Sequence, residues 1–164
     1  VRDDAPIVTP LLRVEAMSPQ LGSRSKSSTL RELVTLASNT GLVYDDKALL
    51  EAVQAREELC STALEGGIAI PHPRRPLPYD IAESILVVAR AGRGTVFGAL
   101  DGKLTNLFFL TASQDDHHHL HTLARLCRML HDEDWVAQLR AAETAEDMIA
   151  LMKQRERELL EQSA

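Results

Sequence analysis

Two segments in the first third of the chain carry apolar residues at helical spacing. In the first segment the apolar positions over 30–37 recur every third or fourth residue, behind the cap candidate Ser28, and Gly41 marks the end. The second has its apolar stripe over 49–53, behind the cap candidate Asp45. Because each segment is apolar on one side and polar on the other, we predict two amphipathic helices packed against a core.

The middle of the chain contains short apolar runs rich in β-branched and aromatic residues. They cover residues 68–70, 84–89 and 107–111. These runs are too short for helices and lack polar alternation, which predicts strands buried on both faces. Gly92 and Gly94 predict a turn between strands, and Asp101 with Gly102 predicts a tight turn after a further strand over 96–99.

Helical patterns return in the last third of the chain. We predict helices over 116–131, 132–140 and 144–161, where Thr144 and Asp147 have the spacing of a capping box. Helices that surround buried strands and hairpin turns predict an α/β fold.

The first 27 residues have a different composition. Pro6, Pro10 and Pro19 precede a glycine- and serine-containing stretch, so we predict an N-terminal arm or linker over 1–27 and a packed domain over 28–164. The chain begins with Val1 rather than Met, and we expect it to be a trimmed chain or the excised part of a longer protein.

Composition narrows the class of protein. A chain of 164 residues with 45% hydrophobic content forms one ordinary domain. The formal net charge of -6 argues against direct nucleic-acid binding and attraction to anionic lipid. The sequence has no run of about 18 apolar residues, so we predict no membrane insertion. Its start also lacks a signal-peptide pattern. Cys60 and Cys127 are far apart and belong to no disulfide or zinc pattern, so we expect a cytoplasmic protein.

His72 has the most unusual surroundings in the sequence. It follows the predicted strand over 68–70 and lies between Pro71 and Pro73. Proline fixes its own φ and restricts the preceding residue, so His72 is extended and presented at a strand end, where sites of α/β folds lie. A neutral imidazole accepts a phosphoryl group near neutral pH. The alternative is a histidine that only fills a turn.

Residues upstream of the strand form a candidate anion cradle. Arg56 ends the second predicted helix, and Ser61, Thr62 and Gly67 follow. A guanidinium, hydroxyl groups and backbone N–H groups hold phosphoryl oxygens by charge-assisted hydrogen bonds. The alternative is an exposed arginine paired with Glu57 or Asp46, followed by a serine-threonine turn.

Four histidines open the third predicted helix behind two aspartates at 115–116. His117 and His121 have the spacing of a two-histidine metal clamp, but no ligand set completes a zinc site. The aspartates suit a helix N-terminus, where another histidine can donate to a phosphoryl oxygen. We predict neither a metal nor a cofactor.

These blocks together resemble the enzyme IIA domain of the fructose–mannitol class of the bacterial sugar phosphotransferase system, including nitrogen-regulatory IIA-like proteins. The resemblance runs from about residue 28 to 151. It is carried, in chain order, by Arg56, Ser61-Thr62, Gly66-Gly67, the run 68–72, Leu100-Asp101-Gly102, the run 107–111 and His119-Leu120-His121.

The resemblance implies a three-layer α/β sandwich with a mixed sheet flanked by helices. It implies that His72 is phosphorylated by the histidine-phosphocarrier protein, with Arg56 and His119 holding the phosphoryl group and assisting the acceptor. His121 takes the place of His119 if the register is shifted by two. A IIB component or a regulatory target protein is the implied onward partner.

Two departures from the family favour regulation over transport. Glu65 and Pro73 stand where the family usually has glycine, and we expect Glu65 to place a negative charge near an incoming phosphoryl group. The loop over 73–79 either recognises a dedicated partner or is a stiff connector. The alternative function is a non-catalytic binding or sensor module, such as the C-terminal half of a DNA-binding transcriptional regulator.

Overall fold

A five-stranded mixed sheet forms the centre of the computed structural model, which describes residues 5–162. Its strands are β1 (Met17–Leu21), β2 (Ala63–Leu64), β3 (Ile68–Ala69), β4 (Ile85–Thr95) and β5 (Thr105–Ala112). The helices are α1 (Lys26–Ser38), α2 (Asp46–Leu59), α3 (Asp116–Met129), α4 (Glu133–Ala141) and α5 (Ala145–Gln162). Two short 3-10 helices, Thr9–Leu11 and Val14–Ala16, precede β1.

The strand order is β1-β4-β5-β3-β2. The long strands β4 and β5 are antiparallel neighbours at the centre. On their outer sides β1 pairs with β4 and β3 pairs with β5, both in parallel, and β2 closes one edge antiparallel to β3. The sheet is therefore mixed, as the sequence predicts.

Each face of the sheet carries its own core because side chains alternate along a strand. Phe108 and Leu110 of β5 belong to the cluster that includes Leu33 and Leu49 of α1 and α2. Leu107 and Phe109 belong to the opposite cluster, with residues of α3, α4 and α5. The predicted three-layer α/β sandwich is confirmed.

The helix starts agree with the sequence in most places. Asp45 accepts a hydrogen bond from the Ala48 N–H at 3.0 Å and caps α2 as predicted. Thr144 likewise accepts from the Asp147 N–H before α5. The first helix begins earlier than expected, because Ser25 rather than Ser28 is its cap.

The predicted turn and strand near residue 95 are wrong. Gly92 and Gly94 lie inside β4, which continues to Thr95 with an irregular register after Arg90. Residues 96–99 form no strand, since pairing of the two central strands stops at Thr95.

The structure also differs from the predicted arm over 1–27. Residues 1–4 lie outside the described part, but Met17–Leu21 is a strand of the sheet. Pro19 is tolerated there because β1 is an edge strand, where a missing N–H costs no central hydrogen bond.

Glu156 of α5 fastens the start of this segment to the domain. Its carboxylate accepts hydrogen bonds from the backbone N–H groups of Ile7, Val8 and Thr9 at 2.8–3.0 Å. It also forms a 2.8 Å ion pair with Arg125 of α3, and both side chains are almost fully buried. Residues 7–9 are therefore part of the packed structure.

No helix of residues 5–162 has the length and apolar character needed to cross a membrane.

Replacing Glu156 with Ala is expected to lower the free energy of unfolding by about 3–5 kcal/mol, because it leaves a buried guanidinium without its carboxylate. Chemical denaturation of both proteins measures the difference. Glu161→Ala, at an exposed position of the same helix, is the control. Equal midpoints for the two variants would show that the buried pair does not stabilise the fold.

Candidate functional site

His72 lies immediately beyond β3, at the carboxyl end of the β3–β5 pair. The Thr111 N–H donates to the Pro71 carbonyl at 3.1 Å, so the parallel register continues to His72 opposite Thr111. The next bond of this ladder requires an N–H at position 73, and Pro73 has none. The ladder therefore ends at His72, which is half-buried.

One nitrogen of the His72 imidazole is bound to the backbone. Nδ1 lies 2.8 Å from the carbonyl oxygen of Ile70. Because a carbonyl oxygen only accepts hydrogen bonds, Nδ1 carries the ring proton, and in the neutral ring Nε2 has the free lone pair. Burial lowers the pKa of His72 below 6.5; the bond to Ile70 opposes this, and the positive charge of Arg56 adds to it. At neutral pH the ring is an uncharged nucleophile.

His119, in the first turns of α3, lies beside His72. Asp115 caps this helix by accepting from the His118 N–H. The ring centroids of His72 and His119 are 5.1 Å apart with a tilt of 48°. Burial lowers the pKa of His119, and the nearby His72 lowers it further. Both rings are therefore uncharged at neutral pH.

The other histidines of α3 make different contacts. The His121 ring is 4.3 Å from that of His117. Exposed His118 points its Nδ1 at the capping carboxylate of Asp115, 2.8 Å away. The ring contact with His72 thus belongs to His119, which favours His119 over His121 as the neighbour of His72.

The alternative metal site at His117 and His121 would need further ligands. Among residues 5–162, no group of three or more histidine, cysteine, aspartate or glutamate side chains is arranged to hold a metal ion.

Arg56 lies in the last turn of α2, and its positive charge acts on His72. Its Nη1 donates to the carbonyl of Cys60 at 2.7 Å, a bond that stabilises the end of the helix. Its positive charge is one cause of the lowered pKa of His72, after burial. The alternative pairing of Arg56 with Glu57 is not found, since Glu57 pairs with Lys26.

Glu57 is a supporting residue that the sequence analysis missed. It is 6% exposed and lies 2.8 Å from Nζ of Lys26. Its carboxylate accepts hydrogen bonds from the N–H and the hydroxyl of Thr62, which fixes the chain between α2 and β2. The signal was present: Glu57 continues the four-residue spacing of Leu49 and Val53, so it belongs to the buried stripe of α2.

The two hydroxyls of the predicted cradle have protein partners. Ser61 donates to the Phe97 carbonyl at 2.5 Å, and Thr62 donates to Glu57. Both groups order the loop that follows α2. Their contact with a phosphoryl group stays a prediction.

Gly67 lies at the opposite end of β3 from His72. Its φ is +81°, and a Cβ at this position would come within 3.1 Å of atoms of Leu104 and Arg140, so the backbone here favours glycine. Gly67 and His72 are five positions apart along the extended chain, a distance of about 16 Å. The structure therefore does not bring Gly67 together with His72, Arg56 and His119.

Glu65 is also remote from His72. It lines a surface cleft with Leu130 and His131, beyond the C-terminal end of α3, whereas His119 lies near the N-terminal end. About 16 Å of helix separates these positions. The expectation that Glu65 places a negative charge near the phosphoryl group is wrong, because the β2–β3 hairpin turn holds it at the other end of the strand.

Comparison with known proteins agrees with this fold. The chain is 33% identical over 148 residues to the nitrogen regulatory protein of Bradyrhizobium diazoefficiens, covering 88% of this chain and 94% of that protein. The crystal structure of nitrogen regulatory protein IIA-Ntr from Neisseria meningitidis superposes with a TM-score of 0.80 at 23% identity, covering 90% and 99% of the two chains. The NMR complex of mannitol IIA with phosphorylated mannitol IIB from Escherichia coli gives 0.76 at 20% identity, covering 87% and 96%.

Fold and sequence together define an enzyme IIA domain of the phosphotransferase system. Residues 10–155 match the family described as "Phosphoenolpyruvate-dependent sugar phosphotransferase system, EIIA 2". The chain belongs to this family, which confirms the resemblance seen in its sequence.

Titration of the protein is expected to show His72 changing charge below pH 6.5. Burial disfavours the imidazolium, so the neutral Nδ1–H form persists as the pH falls from 7 through 6.5. Imidazole nitrogen and carbon NMR shifts of His72 follow this directly. A midpoint at or above 6.5, or a neutral ring protonated on Nε2, would contradict the geometry.

Proposed function

We propose that this chain is a phosphohistidine carrier of the phosphotransferase system, in which Nε2 of His72 accepts a phosphoryl group from the histidine-phosphocarrier protein. The observation that carries the proposal is the bond from Nδ1 of His72 to the Ile70 carbonyl. It fixes the ring and leaves one unprotonated nitrogen beside His119 and near Arg56.

The transfer needs no proton to leave the acceptor. The lone pair of Nε2 attacks the phosphorus and forms a new N–P bond while the N–P bond of the donor breaks. The electron pair of the broken bond returns to the donor imidazole. His72 then carries its proton on Nδ1 and the phosphoryl group on Nε2, and the Ile70 carbonyl stabilises the positive ring by accepting from Nδ1–H.

Arg56 and His119 act on the phosphoryl group through charge and hydrogen bonding. Phosphoryl transfer depends mainly on positioning and electrostatic stabilisation. The guanidinium can donate two parallel hydrogen bonds to phosphoryl oxygens, and the neutral ring of His119 can donate one.

A similar protein supports a regulatory role. The similar Bradyrhizobium protein is named a nitrogen regulatory protein. Arg74, Arg75 and Tyr79 lie in the loop that follows His72, and Tyr79 is 88% exposed. We infer that this loop recognises the onward partner, a IIB component or a regulatory target protein.

The proposed donor also determines where the chain acts. A phosphoenolpyruvate-dependent relay works in the compartment where its donor proteins are phosphorylated. The proposal therefore includes a cytoplasmic location.

The second candidate is a binding or sensor module that keeps the fold without transferring a phosphoryl group. Pro73 favours it, because this residue is buried beside His72 where the family usually has glycine. The objection from Glu65 no longer applies, since that residue is remote from the site. Phosphorylation itself separates the two candidates.

Incubation with phosphoenolpyruvate, enzyme I and the phosphocarrier protein is expected to add one acid-labile phosphoryl group, about 80 Da by mass spectrometry. His72→Ala is expected to abolish this gain, since the acceptor nitrogen is removed. His117→Ala, at an exposed position whose ring contacts are with His118 and His121, is the control. Labelling of the His72→Ala protein at the unsubstituted rate would show that another residue is the acceptor, and no labelling of the unsubstituted chain would favour the sensor module.

Arg56→Lys is expected to slow labelling by about tenfold, because the charge remains but the planar fork is lost. His119→Ala is expected to slow it further, by about a hundredfold. Label uptake at one donor concentration measures both variants, with His118→Ala as the matched control on the same helix. Equal rates in all three variants would remove the case for a phosphoryl cradle.

A further inference from the structure

Two buried threonines of β5 have hydroxyls that find no hydrogen-bond partner within residues 5–162. Thr105 and Thr111 are both 0% exposed, and neither Oγ1 is bonded. Ser38 and Ser113 have unbonded hydroxyls as well. Burying a hydroxyl without a partner costs free energy, so each such group requires an explanation.

Backbone hydrogen bonds place Thr111 directly opposite His72. The Leu107 N–H donates to the Gly67 carbonyl, and Ile68 is paired with Leu107. The Thr111 N–H donates to the Pro71 carbonyl in the same pattern, four residues further along both strands. His72 and Thr111 are therefore neighbours across the pair, about 4.8 Å apart along the hydrogen-bonding direction.

The two side chains also share one face of the sheet. Ile68 and Ile70 of the β3 run, and Leu107 and Phe109 of β5, all lie in the core beneath α3, α4 and α5. Side chains alternate along a strand, so Thr111 lies on that same face. The contact of His72 with His119 of α3 puts its ring there too.

We propose that the Thr111 hydroxyl is a further phosphoryl-binding group, which donates a hydrogen bond to an oxygen of the phosphoryl group on Nε2 of His72. This inference rests on the proposed function. Nδ1 of His72 is already bound to Ile70, so phosphorylation adds the acceptors at Nε2: three anionic oxygens. The hydroxyl is unpaired in the unmodified chain and paired in the phosphorylated one.

A hydrogen bond made only in the phosphorylated state has a specific thermodynamic effect. It shifts the equilibrium of phosphoryl exchange with the donor toward this chain. A threonine that only fills space in the core would change the stability of the protein without moving this equilibrium.

Thr105 provides a matched control within the same strand. It is equally buried and equally unpaired, but it lies at the opposite end of β5, opposite Thr95 of β4. Thr105 and Thr111 are six positions apart along the strand, a distance of about 20 Å. Thr111→Val and Thr105→Val each remove one unpaired hydroxyl and keep the shape of the side chain.

The experiment measures the labelled fraction at equilibrium with the phosphorylated phosphocarrier protein, over a range of ratios of the two proteins. Thr111→Val is expected to shift the equilibrium toward the donor by about tenfold or more, the effect of one hydrogen bond to a charged group. Thr105→Val is expected to leave it unchanged. Thermal unfolding of both variants is expected at or above the unsubstituted midpoint, because an unpaired buried hydroxyl has been removed.

Thr111→Ser and Thr111→Ala form a second pair that does not depend on how valine packs. Serine keeps the hydroxyl and is expected to hold the equilibrium within about twofold of the unsubstituted chain, while alanine shifts it as valine does. An unchanged equilibrium in Thr111→Val, or equal shifts in both valine variants, would overturn the role of Thr111 alone. Absence of label in the unsubstituted chain would overturn the proposed function together with it.

Discussion

The parallel pairing of β3 with β5 determines where His72 and His119 lie. The β3 strand itself is two residues long, but backbone hydrogen bonds to β5 hold the extended chain from the Gly67 carbonyl to the Pro71 carbonyl. This pairing fixes the Ile70 carbonyl that orients His72. Because α3 follows β5 after a short loop, the same pairing brings His119 to the end of β3.

The site is electrically different from the chain as a whole. The formal net charge is -6, yet the site itself consists of the imidazoles of His72 and His119, both kept neutral by burial, and the guanidinium of Arg56. The nearby carboxylate of Glu57 is paired with Lys26 and committed to Thr62. An anion at this site therefore meets hydrogen-bond donors, and the carboxylate of Glu57 is already engaged. The carboxylate of Asp116 also acts on the site, where it opposes the lowering of the pKa of His119.

Sequence patterns predicted the features that depend on local chemistry. The apolar runs of β3, β4 and β5 and the stripes of the helices were found because burial leaves a periodic signal, and His72 was found because two prolines restrict it. β1 was missed because an edge strand with Pro19 is partly polar and resembles a linker. The predicted position of Glu65 near the phosphoryl group is wrong because Glu65 is close to His72 in sequence but lies at the other end of the β3 strand. Thr111 carries no motif at all, and only the strand register connects it to the site.

The hydrogen bond between His72 and Ile70 also has a chemical consequence for the product. A free imidazole has two nitrogens of similar reactivity and would yield two isomers, which differ in lifetime. Here the hydrogen bond to the Ile70 carbonyl keeps the proton on Nδ1 and makes that nitrogen unreactive. In the proposed carrier, phosphorylation is therefore regioselective: it takes place on Nε2, and the donor approaches the ring from the side that faces away from Ile70.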